Sequence, residues 1–224
     1  DTHRQQFVMI GAGRKNMIIN GDMRISQRTI SENGLTTEGH SAVDLFGYNM
    51  FQAGSCVRTV SQEQLTSSTA SPPHDYSQKV LYTTAQTTNS NCRQQIRYMV
   101  EGSDMSELRW GHHQAKPATL SFWAKSNVSG DHAVSVINQA ETHSFVTSYN
   151  IGEPNVWEYK EVSIDGNTEA SWNTDNQIGI RLAWDNGSGS DYETSNINKW
   201  AAQWKFRPTN CVRIAEHTGG YLEL

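Results

Sequence analysis

Hydrophobic and polar residues alternate with a period of two along most of this chain, a pattern that predicts β-strands. The alternation is clearest at 118–125, where Leu120, Phe122 and Ala124 fall on one face. Because successive side chains of a strand point to opposite sides, that face is expected to be buried. The same reasoning predicts further strands at 42–51, 56–60, 76–85, 92–100, 132–138, 145–149, 157–164, 177–184, 211–215 and 220–224.

The ordered part of the chain is predicted to begin with β-structure at 16–28. An apolar run in this stretch meets Asn20-Gly21 and then continues as an alternating segment. Asn-Gly supplies the positive backbone φ that a tight turn needs. The sequence therefore predicts a strand that bends at this point.

Helical signals are few, which indicates an all-β protein. A short helix is predicted at 102–113, and one or two helical turns at 195–204. About ten to thirteen short strands separated by polar turns are typical of a β-sandwich, and of a jelly roll in particular. A chain of 224 residues fits one such domain. Residues 16–224 are predicted to form the jelly-roll domain, and residues 1–15 an extended N-terminal arm or linker.

Composition and charge narrow the classes of function. The net charge of −5 argues against general nucleic-acid binding, which needs a basic surface to displace counterions. No apolar run approaches the length of a membrane span, so membrane insertion is not expected. Three cysteines without Cys-x-x-Cys spacing indicate neither a disulfide framework nor a zinc site. They are expected to be small buried residues of a protein assembled in a reducing cytoplasm.

The chain lacks the short motifs of common catalytic sites. It has no Gly-x-Ser-x-Gly elbow, no His-Glu-x-x-His and no phosphate-binding loop. Its carboxylates are scattered, and the sequence alone pairs no two of them for glycoside hydrolysis. The chain is therefore predicted not to be an enzyme and to need no cofactor. The loop 185–191 is a candidate Ca²⁺ site through Asp185 and Asp191, and the alternative is a solvated turn.

Aromatic residues give the strongest indication of a binding site. Their rings can stack on the apolar faces of sugars, while amide and carboxylate side chains pair with the hydroxyl groups. Four of them flank or follow the glycine-rich loop and are the candidates for a carbohydrate-binding surface: Trp184, Tyr192, Trp200 and Trp204. The competing interpretation is that these rings pack in the core or at a subunit interface.

Three short motifs resemble the jelly rolls of carbohydrate-binding modules. The first, Asn-Met-Ile-Ile-Asn-Gly-Asp-Met, resembles the first strand of those modules, and its signature positions are Asn16, Asn20, Gly21 and Asp22. Residues 119–126 are similar to the central strand, and residues 220–224 to the closing strand. The resemblance implies that 16–28 lies beside 220–224. It also implies a core position for four apolar side chains of the first strand: Met17, Ile19, Met23 and Ile25.

A larger set of motifs resembles bacteriophage virion proteins, namely tail-fibre and related receptor-binding or appendage proteins. These motifs are 16–28, Ala42-Val43-Asp44, 119–130, 157–160 and 172–175. They imply a structural protein of the virion, in a tail fibre or surface appendage, that contacts glycans of the host cell surface. The implied partners are other virion proteins and copies of the same chain, as a trimer by analogy with fibres.

The same resemblance leaves two alternatives open. One is a capsid decoration or tail cement protein with a purely architectural role, and the other is a polysaccharide depolymerase. In each case the implied location is the virion, assembled in the cytoplasm of a bacterial host. The relatives usually continue past the closing strand, and the sequence begins with Asp1 rather than Met. A longer polypeptide is therefore expected.

Overall fold

The alternating segments pair into two facing sheets. The computed structural model describes residues 6–9, 16–40, 42–51, 56–65, 72–86 and 89–224, with the backbone alone for 6–9. Within these residues the protein is an all-β sandwich of the jelly-roll type, as the sequence predicted. No helix in the described part of the chain has the length and apolar character needed to cross a bilayer.

The strands are short, and most agree with the predicted segments. In chain order they are β1 (Gln6–Met9), β2 (Ser31–Leu35), β3 (Gly39–His40), β4 (Phe46–Phe51), β5 (Val57–Gln64), β6 (Tyr76–Thr84), β7 (Arg93–Glu101), β8 (Ala118–Ser126), β9 (Gly130–Asn138), β10 (Ser144–Ile151), β11 (Glu158–Ile164), β12 (Ile178–Asp185), β13 (Glu193–Thr194), β14 (Trp200–Ala201), β15 (Arg207–Pro208) and β16 (Tyr221–Glu223). Helical structure in these residues consists of α1 (Gly102–Met105) and 3-10 turns at Ser106–Leu108, Ser190–Tyr192 and Ile214–Glu216.

The two sheets have seven strands each among the described residues. Sheet one runs in the order β1-β8-β16-β6-β5-β2, and β11 also pairs with β8. Sheet two runs in the order β14-β10-β9-β12-β7-β4-β3. Neighbouring strands in both sheets are antiparallel, whereas β13 and β15 form a separate parallel pair.

The core lies between the sheets. Phe122 of sheet one meets sheet two at Tyr149, with ring centroids 5.0 Å apart, and at Trp184, at 5.6 Å. Leu120, Phe122 and Ala124 are fully buried, which confirms the predicted inward face of β8. The three cysteines are buried and unpaired, as expected of small core residues.

The stretch 16–28 does not form the predicted strand. Its backbone turns at Asn20, which has a φ of +58° and accepts a hydrogen bond from Met23 N through its carbonyl oxygen at 3.0 Å. The turn breaks the period of two, so the predicted core positions of Ile19 and Ile25 are wrong: these side chains are 57% and 47% exposed. Ile18 is buried in their place, while the predicted burial of Met17 and Met23 is confirmed.

The signature residues fix this turn to the rest of the domain. Asn20 Nδ2 donates to the carbonyl oxygens of Ile25, at 3.0 Å, and Asp44, at 2.9 Å. Asn20 Oδ1 accepts from Ile25 N at 2.8 Å. Asn16 Oδ1 accepts from Ile18 N at 3.0 Å. The stretch is therefore a hydrogen-bonded loop joined to the segment around Asp44. It is not a partner of the closing strand β16, which pairs with β6 and β8.

Three further expectations need correction or qualification. The segment 195–204 contains no helical turn, and its Trp200–Ala201 pairs with β10 as β14. The segment 211–215 forms no strand and ends in the 3-10 turn Ile214–Glu216. Within the predicted arm 1–15, Gln6–Met9 pairs with β8 as β1, and the rest of that arm lies outside the described residues.

Candidate functional site

Trp184, predicted as a surface aromatic, lies in the core. It is 0% exposed and packs against Phe46 and Phe122, with ring centroids 6.4 and 5.6 Å away. On β12 it is in register with Ile96 of β7 and Val134 of β9, which are also buried. Because strand alternation sends it inward with these neighbours, it cannot stack on a ligand.

Trp200 belongs to a cluster of tryptophans. Its ring centroid lies 5.2 Å from that of Trp110 and 5.3 Å from that of Trp172, in edge-to-face geometry. Each indole N–H in this cluster has an internal acceptor: Trp200 donates to Asp165 O, Trp110 to Lys116 O and Trp172 to Asn167 Oδ1. With its edges and its donor already in use, Trp200 is a packing residue.

Tyr192 and Trp204 are the two predicted aromatics that the structure brings together. Their ring centroids lie 5.4 Å apart with an interplanar angle of 84°. Phe206 stacks on Tyr192 at 4.8 Å, and the group packs against Ile137 of β9 and Ala183 of β12. The segment containing β13 and β15 thus covers part of the outer face of sheet two.

A buried ion pair holds this covering segment in place. Arg207 of β15 and Asp185 of β12 are fully buried, with Nη1 and Oδ2 3.4 Å apart. Arg207 also donates to the carbonyl oxygen of Cys211. Burial raises the pKa of Asp185, while the charge of Arg207 and hydrogen bonds from Ser188 and Gly187 oppose that increase.

The two carboxylates of the calcium candidate serve different partners. Asp185 pairs with Arg207, whereas Asp191 Oδ2 accepts from Ser90 Oγ at 3.2 Å. No group of three or more His, Cys, Asp or Glu side chains that could hold a metal ion occurs in the described residues. The loop is therefore held by protein hydrogen bonds and one ion pair.

The uncovered part of sheet two presents arginines and aromatic rings. We call this surface the arginine face and define it by Phe51 of β4, Arg93 and Arg97 of β7, Arg181 of β12, and the adjacent Tyr192 and Trp204. The guanidinium carbon of Arg93 lies 4.4 Å from the centroid of the Phe51 ring, 5.0 Å from that of Trp204 and 5.9 Å from that of Tyr192. Phe51 is 41% exposed. Arg93 therefore links rings from β4 and from the covering segment.

The other two arginines have carboxylate partners. Arg97 Nη2 lies 3.4 Å from Glu38 Oε2, and Arg181 Nη1 pairs with Glu141 Oε1. Burial lowers the pKa of Arg97. The carboxylate of Glu38 opposes this effect, and the nearby charges of Arg181 and Arg93 add to it. The three guanidinium groups thus share one electrostatic environment.

Several buried nitrogen atoms of the arginine face lack a partner among the described residues. They are Nε of Arg93, Arg97 and Arg181, together with Nε2 of the neighbouring Gln95 and Gln203. A buried donor that forms no hydrogen bond costs about 1–3 kcal/mol. These nitrogen atoms have almost no exposed surface, so they are not contact points for a ligand.

Sequence reasoning missed four members of this surface: Phe51, Arg93, Arg97 and Arg181. A signal for two of them existed in 92–100, where Arg93, Gln95 and Arg97 alternate with apolar or buried positions and so share one face of the strand. Phe51 and Arg181 carry no such signal, because they join the site only through strand pairing with β7.

The outer face of sheet one also carries aromatic residues, and its Lys125 and Tyr221 have polar partners. Trp123 and the directly opposite Tyr159 have ring centroids 5.6 Å apart. Lys125 Nζ lies 2.7 Å from Glu223 Oε2, and Tyr221 Oη donates to Asn155 Oδ1 at 2.8 Å. This face offers rings with few spare charges.

Comparison with known proteins identifies distant structural neighbours and no sequence family. No family model matches the chain, and no curated protein matches its sequence. The enzymatically active domain of tailspike protein 4 from bacteriophage CBA120 is similar at 9% identity and a TM-score of 0.43, over 93% of this chain and 20% of that one. A protein from Bacteroides thetaiotaomicron, provisionally described as sugar-binding, is similar at 12% identity and a TM-score of 0.49, over 93% of this chain and 96% of that one. These likenesses are too distant to transfer a ligand or an activity.

Proposed function

We propose that this chain is a carbohydrate-binding module of a bacteriophage tail fibre or surface appendage, and that the arginine face contacts glycans of the host cell surface. The observation that supports the site is the placement of Phe51 and Trp204 within 5.0 Å of Arg93, which has no carboxylate within ion-pair distance among the described residues. The rings suit the apolar C–H faces of a sugar, and the guanidinium group of Arg93 suits its oxygen atoms.

The virion setting of the proposal is supported by the sequence motifs described above. Copies of the chain, arranged as a trimer, and other virion proteins are the proposed partners. Binding through one such face is expected to be weak. Several linked copies would raise the apparent affinity without a new contact.

The proposal assigns no catalytic step to the chain. A capsid decoration or tail cement protein would use its aromatic residues against neighbouring subunits, and it would bind no free glycan. A depolymerase would release new reducing ends from a host polysaccharide. These two alternatives are therefore distinguishable outcomes of one set of binding and activity measurements.

The decisive test is a bacterial glycan array with the purified chain and its Trp204→Ala variant. We expect retention on at least one envelope polysaccharide. The variant should bind about 10-fold more weakly or worse, because truncating a central aromatic contact usually costs more than 1 kcal/mol. Thermal melting of both proteins separates lost binding from lost structure.

Trp123→Ala on sheet one is the matched control and should leave binding unchanged. Equal losses in the two variants would contradict the assignment of the site. Failure to bind any glycan would overturn the proposed function and favour the architectural alternative. New reducing ends in the same mixtures would favour the depolymerase.

A further inference from the structure

The arginine face is positively charged on a protein that is acidic as a whole. The chain has a net charge of −5, yet this surface brings Arg93, Arg97 and Arg181 together and opposes them with Glu38 and Glu141. A local excess of positive charge attracts an anionic ligand. This attraction becomes stronger as the ligand displaces water from between the charges. The charge pattern therefore bears on which glycan the site would accept.

Arg93 is the group that is free to act on a ligand. Among the described residues no carboxylate lies within ion-pair distance of Arg93, whereas Arg97 and Arg181 each have one. Its guanidinium is positioned by the rings of Phe51 and Trp204. A guanidinium held in this way loses little conformational entropy when it binds, and its planar fork matches the two oxygens of a carboxylate or sulfate group.

The charge of the guanidinium groups favours the same ligand chemistry. The Nε atoms of all three arginines are buried without a hydrogen-bond acceptor among the described residues. Hydrogen bonds from a charged donor to an anionic oxygen are roughly twice as strong as those between neutral groups. An anionic oxygen is therefore the acceptor that the Nη atoms of Arg93, which are not among these buried nitrogens, would bind most strongly.

We propose that the arginine face selects acidic polysaccharides, in which a sugar ring stacks on Trp204 and its carboxylate or sulfate group pairs with Arg93. This inference rests on the proposed function and adds the ligand class to it. On sheet one Lys125 is already paired with Glu223, and Lys79, which lies over the ring of Tyr221, lacks the planar fork of a guanidinium group.

The test compares alginate with carboxyl-reduced alginate, and carrageenan with its desulfated form, so that each pair shares a backbone. Binding of the full chain is measured by calorimetry at low salt and in 0.5 M NaCl, a concentration chosen to screen charges at distances of more than about 4–5 Å. We expect the acidic member of at least one pair to bind about 10-fold more tightly than its neutral form, and the preference to shrink in high salt.

Two variants isolate the role of Arg93. Arg93→Gln should remove most of the preference for the acidic member. Lys79→Gln removes one positive charge from the opposite face and should leave that preference intact. Lys79 is a suitable control because its Nζ lies over the ring of Tyr221, on sheet one.

The outcomes separate this inference from the proposed function. Equal binding of acidic and neutral members, with a loss in Trp204→Ala, would overturn the acidic preference and keep the glycan site. Equal losses in Arg93→Gln and Lys79→Gln would indicate attraction by net charge alone and overturn the assignment to Arg93. Binding to none of the four polysaccharides would overturn the acidic preference, and the glycan array then decides the proposed function.

Discussion

The outer faces of the two sheets use the same kinds of residue in opposite ways. Each places aromatic rings beside cations: Lys125 lies over Trp157 on sheet one, and Arg93 lies over Phe51 on sheet two. On sheet one the cation is also bound to Glu223, a nearly fully buried carboxylate. On sheet two Arg93 has no carboxylate partner in the described residues. Lys125 is thus neutralised by a carboxylate, whereas Arg93 keeps its charge available for a ligand.

Strand order explains the difference. The closing strand β16 lies between β6 and β8, and this places Glu223 directly opposite both Lys79 and Lys125. Opposite charges on neighbouring strands stabilise a sheet. No acidic residue occupies the position opposite Arg93, where the cross-strand neighbour is Phe51. An aromatic ring holds the cation there without neutralising it.

The largest expected effect is a difference in protein stability between a variant of Lys125 and a variant of Arg93. Lys125→Met leaves Glu223 buried with Ser77 as its remaining side-chain donor, and should lower the free energy of unfolding by about 3 kcal/mol, because breaking a buried ion pair strands one charge. Arg93→Met should cost less, about 1 kcal/mol, since it removes cation–π contacts with the neighbouring rings but no ion pair. Urea denaturation of both variants measures the difference, and similar losses would remove the distinction between the faces.

An intermediate effect on stability is expected from His132, which lies in the core between the two sheets. Burial lowers the pKa of His132 in the folded state, and Val128 O, bonded to Nε2 at 2.8 Å, partly opposes this. As the pH falls, His132 is therefore protonated at a higher pH in the unfolded chain than in the folded protein. Stability should be complete above a pH of about 6.5 and should fall as the pH drops below it.

His132→Gln should reduce this loss of stability at low pH. Melting temperatures at pH 8 and pH 5.5 provide the measurement, and the exposed His217→Gln is the control. His132→Gln should affect neither the ion pair between Lys125 and Glu223 nor glycan binding to the arginine face. An unchanged pH dependence would show that other groups dominate the titration.

The smallest expected effect compares one hydroxyl on each face. Tyr221 Oη donates to Asn155 Oδ1, so Tyr221→Phe should lower stability by about 0.5–1 kcal/mol. The hydroxyl of Tyr192 has no hydrogen-bond partner among the described residues, so Tyr192→Phe should leave stability unchanged. Calorimetric unfolding resolves the two variants. A larger cost at Tyr192 would mean that its hydroxyl is engaged in the folded protein.

The strands were predictable where alternation was strong and local. The segments 76–85, 92–100, 118–125 and 157–164 are observed within one residue at each end. The stretch 16–28 was not, because its apolar pattern continues through a turn that depends on Asn20 and on the distant Asp44. A period of two indicates a strand only when no side chain diverts the backbone hydrogen bonds.

The candidate site was predictable only in part, since two of the four chosen aromatics belong to it. Trp204 and Tyr192 lie beside Arg93, whereas Trp184 is in the core and Trp200 is in the tryptophan cluster. All four flank or follow one polar loop, so composition does not distinguish the rings at the site from those that pack inside the protein. Their separation depends on which strands pair and which face is covered.

The sequence by itself determined the all-β class, the positions of most long strands and the pool of aromatic residues. Those features follow from local alternation and from the polarity of the turns. The tertiary structure alone decided that Phe51, Arg93 and Trp204, which are far apart in the chain, meet on one face. It also decided that Glu223 neutralises a cation on sheet one, while Arg93 remains unpaired by carboxylates among the described residues. Strand order and register place these residues, and both are set by contacts between segments distant in sequence.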